Sequence, residues 1–235
     1  MICHWDEVET GRGEAGHIAG EWTNLGVAAG TKTVGLKRIR IDPGKWSTPF
    51  HRQTAEEEIF FVLAGSGICL LDGSAFEVRP GDCIVHRVRE VEGTFNGQWR
   101  MLARGAGAEL SGLNWGVLHE GEEGAPPHCH SADEEIFVVL EGEGVFELWP
   151  TPQRVRDGAE REDLPIRAGH VISRPASSGV AHGIRAGLPG LTYLAYGTRN
   201  PNDVCYYARS NKIYFRGLGL IARLEDLDYD DGEPQ

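Results

Sequence analysis

The chain has 235 residues, 32 of them glycine, with a formal charge of −12 and a pI near 5.2. Glycine at about twice its usual share of roughly 7%, set singly or in pairs between short apolar runs, requires many tight turns and points to an all-β protein. The acidic balance and scattered Lys and Arg residues leave no basic patch for nucleic acid or an acidic membrane surface, and no window approaches the roughly 18 consecutive apolar residues of a membrane helix.

The opening stretch, MICHWDEVETGRGEAGH, is acidic and has no apolar run of the signal-peptide kind. Five cysteines (Cys3, Cys69, Cys83, Cys129, Cys205) are an odd number without a C-x-x-C pair and read as reduced thiols, so a cytoplasmic protein is expected. Gly11–Gly16, GRGEAG, satisfies G-x-G-x-x-G, but no hydrophobic strand precedes it and no amphipathic helix follows, so it carries no nucleotide reading. His4 and His17 stand in this polar arm without partner spacing.

The next segments establish an internal duplication. AEEEIFFVLAGSG from Ala55 and ADEEIFVVLEGEG from Ala132 agree at nine of thirteen positions, and His51 and Glu58 recur 77 residues later as His128 and Glu135. In the first copy, ICLLDGSAFEV is a hairpin turned at Asp72-Gly73, a dipeptide suited to positive φ. RPGDCIV at 79–85 recurs as RAGHVIS at 167–173 with an offset of 88. The 11 additional residues fall in the polar stretch TPQRVRDGAERED at 151–163, which reads as a long surface loop. A linker is expected near RGAGAELSG at 104–112. The resulting division is an N-terminal arm (1–30), a first barrel (31–107), a second barrel (108–200) and a C-terminal extension (201–235). The ends exceed the repeat and are expected to cap sheet edges or to reach across to the other copy.

In the second copy, strand alternation aims His128 and His130 to one face and Cys129 to the other. Glu135 opens the following apolar run with Phe137 and Val139 on its side as an apolar wall, and His182 supplies a third imidazole from a later strand. Three imidazoles and a carboxylate in a dry barrel suit one divalent transition metal, Mn, Fe, Ni, Cu or Zn, which would resolve the cost of burying four polar groups. Taken singly, each of these residues has a plain alternative as an exposed loop or surface group. The first copy keeps His51 and Glu58, but Gln53 stands at the register of His130 and Thr94 at that of His182. With only His86 nearby, the first copy is read as structural support or a second small-molecule pocket. His119 and His170 are expected to be exposed.

These residues resemble the cupin superfamily, and the doubled unit looks like a bicupin. The first cupin motif is matched by Gly121, His128, His130, Glu135 and Gly142, the second by Gly169, Pro175, Gly179 and His182, with altered spacing after Gly121 and after Pro175 and with Ala186 where Asn is common. The resemblance implies two tandem β-barrels of jelly-roll type, a homodimer, and an enzyme of dioxygenase, decarboxylase, isomerase or lyase chemistry on a small organic molecule, dioxygenase-like before the others. Glu135 would be a ligand or a base, and Arg174, Arg185 and Tyr193 are candidates for holding substrate. The competing reading is a non-catalytic small-ligand or regulatory protein.

Overall fold

The computed structural model describes residues 1–49, 51, 57–71, 73–85, 99–225, 227 and 231. The protein is built mainly of β-strands, with three short α-helices and one 3₁₀ turn among the described residues. The largest sheet has eleven strands. Its spine is the pairing of Glu135–Pro150 with Val180–Thr198, and the strands His170–Arg174, Glu162–Arg167, Ser111–Leu118 and His128–His130 join that pair.

The duplication seen in the sequence is also a duplication of hydrogen-bonded register. Ile59–Phe61 pairs with Cys83–Val85 so that Ile59 faces Val85, and Ile136 faces Ser173 at offsets of 77 and 88. Gly67–Leu71 pairs with Ser74–Val78 from Gly67 opposite Val78 to Leu71 opposite Ser74; Gly144 opposite Ile166 and Leu148 opposite Glu162 repeat that ladder. Between these first-copy strands Gly73 has a φ of 80°. In the second copy the turn holds the extra residues, and part of the stretch expected as a long surface loop, Pro152–Arg156, is a short helix with Pro at its start.

The repeat also begins earlier than the similar phrases show. Trp22 opposite Ile39 is matched by Trp99 opposite Gly116, and the helix Leu25–Ala29 by Leu102–Gly105. Within the stretch 104–112, expected as a linker, the second helix ends at Gly105 and the strand Ser111–Leu118 begins, with turns and bends over 106–110 between them. One apolar cluster draws on both copies: Leu25, Ala29, Val34 and Val85 pack with Ala103, Leu113, Ile136, Val138 and Val171. A second cluster, including Phe137, Val139, Phe146, Ile172, Ile184 and Tyr193, lies on the alternate residues of the same strands. Alternation thus divides one set of strands between a core shared by the copies and the interior of the second copy.

The two long strands must bend sharply to enclose that interior. Register shifts lie between Val139 and Glu141 and between Gly142 and Gly144, as β-bulges require. Gly142 has a φ of 78°, and a Cβ there would lie 2.0 Å from the Gly190 carbonyl oxygen. Only glycine lets the backbones meet at this corner, which gives the motif's Gly142 a mechanical role.

The ends are sheet strands. Ile2–His4 pairs with His170–Arg174 of the second copy, so the N-terminal arm reaches across. Gly169 has a φ of 90° and a Cβ there would meet the His4 ring at 2.2 Å, so the turn before this strand also requires glycine. GRGEAG lies on the strand Thr10–Ala15 of a three-stranded antiparallel sheet. The C-terminal strands Val204–Tyr207, Lys212–Phe215 and Leu220–Arg223 extend the large sheet beside His128–His130.

Candidate metal centre

The strand His128–His130 lies between Val180–Thr198 and Val204–Tyr207, with His128 opposite both His182 and Tyr207. These pairings place the imidazoles of two strands on one face, over the first residue of Glu135–Pro150. Glu135 Oε2 is 3.0 Å from His182 Nε2, 3.3 Å from His130 Nε2 and 3.9 Å from His128 Nε2. His128, Glu135 and His182 each bring one donor atom to within 4.8 Å of the others. His130 Nε2, Glu135 Oε2 and both ring nitrogens of His182 are buried and lack an aligned hydrogen bond. Three buried side chains, His130, Glu135 and His182, therefore converge beside His128 with polar atoms that make no aligned hydrogen bond, which is costly in a buried setting and fits a shared cation.

The ring orientations have identifiable causes. His128 Nδ1 lies 2.8 Å from the Pro126 carbonyl oxygen, which turns Nε2 toward Glu135. His130 Nδ1 lies 2.7 Å from Asp203 Oδ2. Asp203 is itself 1% exposed and accepts from the backbone N–H groups of Ala132 and Asp133. Arg216 pairs with both Asp133 and Asp203, so the C-terminal extension supplies the group that orients His130. A carboxylate behind a ligating imidazole fixes its tautomer and raises its basicity.

Charge is unevenly distributed in this cluster. Burial opposes the imidazolium of His130, but Asp203 and Glu135 outweigh it and raise its pKa to about 10. At His182 burial prevails over Glu135, and the pKa falls to about 4. Burial also opposes the Glu135 carboxylate, yet contact with His130 and His182 holds it well below the usual range. Asp203 is lowered to about 2, its burial outweighed by His130 and by the two backbone donors.

The other residues singled out from the sequence divide. Phe137 packs edge-on against His182 with centroids 5.1 Å apart, and Phe146 stacks on the same ring at 5.6 Å. Val139 is fully buried in the same interior. Tyr193 belongs there as well, 2% exposed, with its phenol raised by burial first and Glu135 second. Arg174 lies opposite Glu135 in the sheet; its Nη2 donates to the Val180 carbonyl at 2.7 Å, and its buried Nε has no partner. Arg185 is not brought to the cluster. It is three residues beyond His182, on the opposite face, where Glu147 lies 3.2 Å and Asp163 3.7 Å away.

Cys129 is buried, opposite Tyr206 and away from the imidazoles. His119 is exposed, whereas His170 packs edge-on against His4 with ring centroids 5.6 Å apart because the N-terminal strand covers it. Asp203 was missed in the sequence, as was Tyr207, whose ring lies 5.8 Å from that of His128. All five cysteines are free.

In the first copy, His51 Nδ1 lies 3.0 Å from the Pro49 carbonyl oxygen and Nε2 lies 3.2 Å from Glu58 Oε2. This repeats the orientation of His128 and Glu135 at an offset of 77 in a more exposed setting. Gln53, His86 and Thr94 lie outside the described residues.

Residues 37–90 match the family model for the cupin domain. The first copy therefore resembles a cupin domain over those residues. The matched cupin stretch is the first copy, while the histidine-rich cluster lies in the second. Among solved structures, a provisionally named sugar phosphate isomerase from Acidithiobacillus ferrooxidans is 24% identical with a TM-score of 0.46, covering 55% of this chain and 80% of that chain. A cupin-superfamily sugar phosphate isomerase from Silicibacter pomeroyi is 21% identical with a TM-score of 0.44, covering 62% and 90%. An oxalate oxidase in complex with the substrate analogue glycolate is 19% identical with a TM-score of 0.37, covering 48% and 55%. No curated protein matches the chain. No helix among the described residues is long and apolar enough to cross a membrane.

Proposed function

We propose that this protein is a metal-dependent enzyme acting on a small organic molecule in its second copy, with one divalent transition metal held by His128, His130, Glu135 and His182. The observation that carries this reading is the approach of three imidazole Nε2 atoms to one carboxylate oxygen, at 3.0 to 3.9 Å, in a buried setting. Borderline ions of the Mn, Fe, Ni, Cu and Zn group accept such nitrogen and oxygen donors. When bound, such an ion supplies Lewis acidity and a template for the substrate.

The chain's own residues then have distinct tasks. Asp203 holds His130 with Nε2 toward the site. Phe137 and Phe146 pack on His182 and keep water from that ring. Glu135 is the carboxylate donor and the nearest proton acceptor for a bound molecule. The unpartnered Nε of Arg174 would hold an anionic substrate group. Arg185, engaged with Glu147, takes no part.

Elemental analysis of the full chain tests the metal assignment. One equivalent is expected, lost in the double variant His128→Ala, His130→Ala. Full metal content in that variant, with its fold intact by circular dichroism, would overturn it. Screening the loaded protein for turnover of small carboxylates, phosphorylated sugars and diols, with and without dioxygen, tests the enzymatic part; saturable binding throughout without turnover would leave a binding protein instead.

A further inference from the structure

Cys205 lies directly opposite His130 in the antiparallel pairing of Val204–Tyr207 with His128–His130. Residues opposite one another across a ladder share a face, so its side chain is on the imidazole side of the sheet, whereas Cys129 is on the other. Cys205 is 4% exposed. Its sulfur and one ring nitrogen from each of His128 and His130 lie within 4.8 Å of one another. His130 Nε2 is buried and makes no aligned hydrogen bond, with Glu135 Oε2 3.3 Å away, and the His130 side chain is 10% exposed. His128 thus belongs to two donor groups, one with Glu135 and His182 and one with His130 and Cys205.

We infer that Cys205 is a metal donor of this pocket, and that the pocket offers two overlapping donor sets from which the ion selects. The inference rests on the reading that the pocket binds a metal. Thiolate favours thiophilic ions such as Zn(II), Co(II), Cd(II) and Cu(I), whereas carboxylate favours harder ones such as Mn(II). Metal–nitrogen and metal–sulfur bonds of about 2.1 and 2.3 Å require the three donors, now within 4.8 Å of one another, to close around the ion. On coordination the thiol proton leaves to solvent, one per ion bound, and no electron is transferred. Mn(II) would sit on His128, His130, Glu135 and His182 without sulfur.

Cobalt(II) titration of the full chain reads this directly, because thiolate ligation gives an intense near-ultraviolet charge-transfer band. The wild-type protein and Cys129→Ser are expected to show the band at one equivalent of cobalt. Cys205→Ser is expected to lose it while still binding cobalt through the remaining imidazoles and Glu135. Mn(II) affinity should be the same in wild type and Cys205→Ser, and Zn(II) affinity lower in the variant. One equivalent of bound cobalt without the band in wild type would remove Cys205 from the site and leave the metal reading standing. If wild type binds no cobalt, manganese or zinc, the metal reading fails and this inference with it. Should Cys205→Ser misfold, Cys205→Ala and the absence or presence of the wild-type band still decide the question.

Discussion

Glu134 of the second copy accepts the backbone N–H of Thr33 at 2.6 Å, across the junction between the two copies. The same carboxylate accepts from Lys32 and Val34. Its counterpart Glu57, in the first copy, accepts from the N–H of Glu109 and the hydroxyl of Ser111. Lys32 and Val34 are the counterparts of Glu109 and Ser111 at the offset of 77. Each copy thus caps the other's strand entry with the same glutamate, beside the apolar cluster they share.

Glu134→Ala is therefore expected to lower the stability of the whole chain, by about 3 kcal/mol for several charge-assisted hydrogen bonds to a buried acceptor. Denaturant unfolding should show one shifted transition; two separate transitions would mean that the copies fold independently. The pH dependence follows. Burial works against the Glu134 carboxylate, but its hydrogen bonds from Thr33, Lys32 and Val34 hold its pKa below the usual value. A depressed folded pKa contributes stability above the unfolded value, near 4.5, that is lost as pH falls through the folded value. Glu134→Gln should therefore flatten the acid limb of the stability profile.

Asp203 acts through His130. Asp203→Asn should lower metal affinity about 10 to 100-fold and leave one equivalent bound at saturation. Asp203→Ala should do the same with an added loss of stability, because Ala132, Asp133 and Arg216 lose a buried partner. Unchanged affinity by competition with a chromogenic chelator would contradict this role.

Metal affinity should rise with pH across the neutral range. Asp203 and Glu135 favour a proton on His130, whose pKa lies near 10, and that proton must leave when the ring coordinates. Calorimetry in buffers of different ionisation enthalpy should show net proton release at pH 7 and weaker binding at pH 5. Affinity independent of pH would argue against imidazole ligation.

The two copies should respond differently to loss of their matched histidines. His51→Ala removes an exposed ring paired with Glu58 and should change stability little, with little effect on metal content or turnover. His128→Ala removes a donor and should abolish both. Equal losses with both folds intact would place working chemistry in the first copy.

Much of this site was legible because strand alternation alone puts His128 and His130 on one face and Cys129 on the other. The same rule, applied three residues beyond His182, would have turned Arg185 outward. The early start of the repeat was also within reach, since Trp22 and Trp99 stand at the offset of 77. Asp203 and Cys205 were not. Their place depends on the register of Val204–Tyr207 against His128–His130, a long-range pairing fixed by tertiary packing. His4 over His170 was hidden for the same reason.

The most direct test of the central claim is an anomalous difference map from crystals of the full chain loaded with manganese(II). One peak per chain is expected, bonded to Nε2 of His128, His130 and His182 and to Glu135 Oε2. A peak at His51 and Glu58, or none among the three imidazoles, would contradict it.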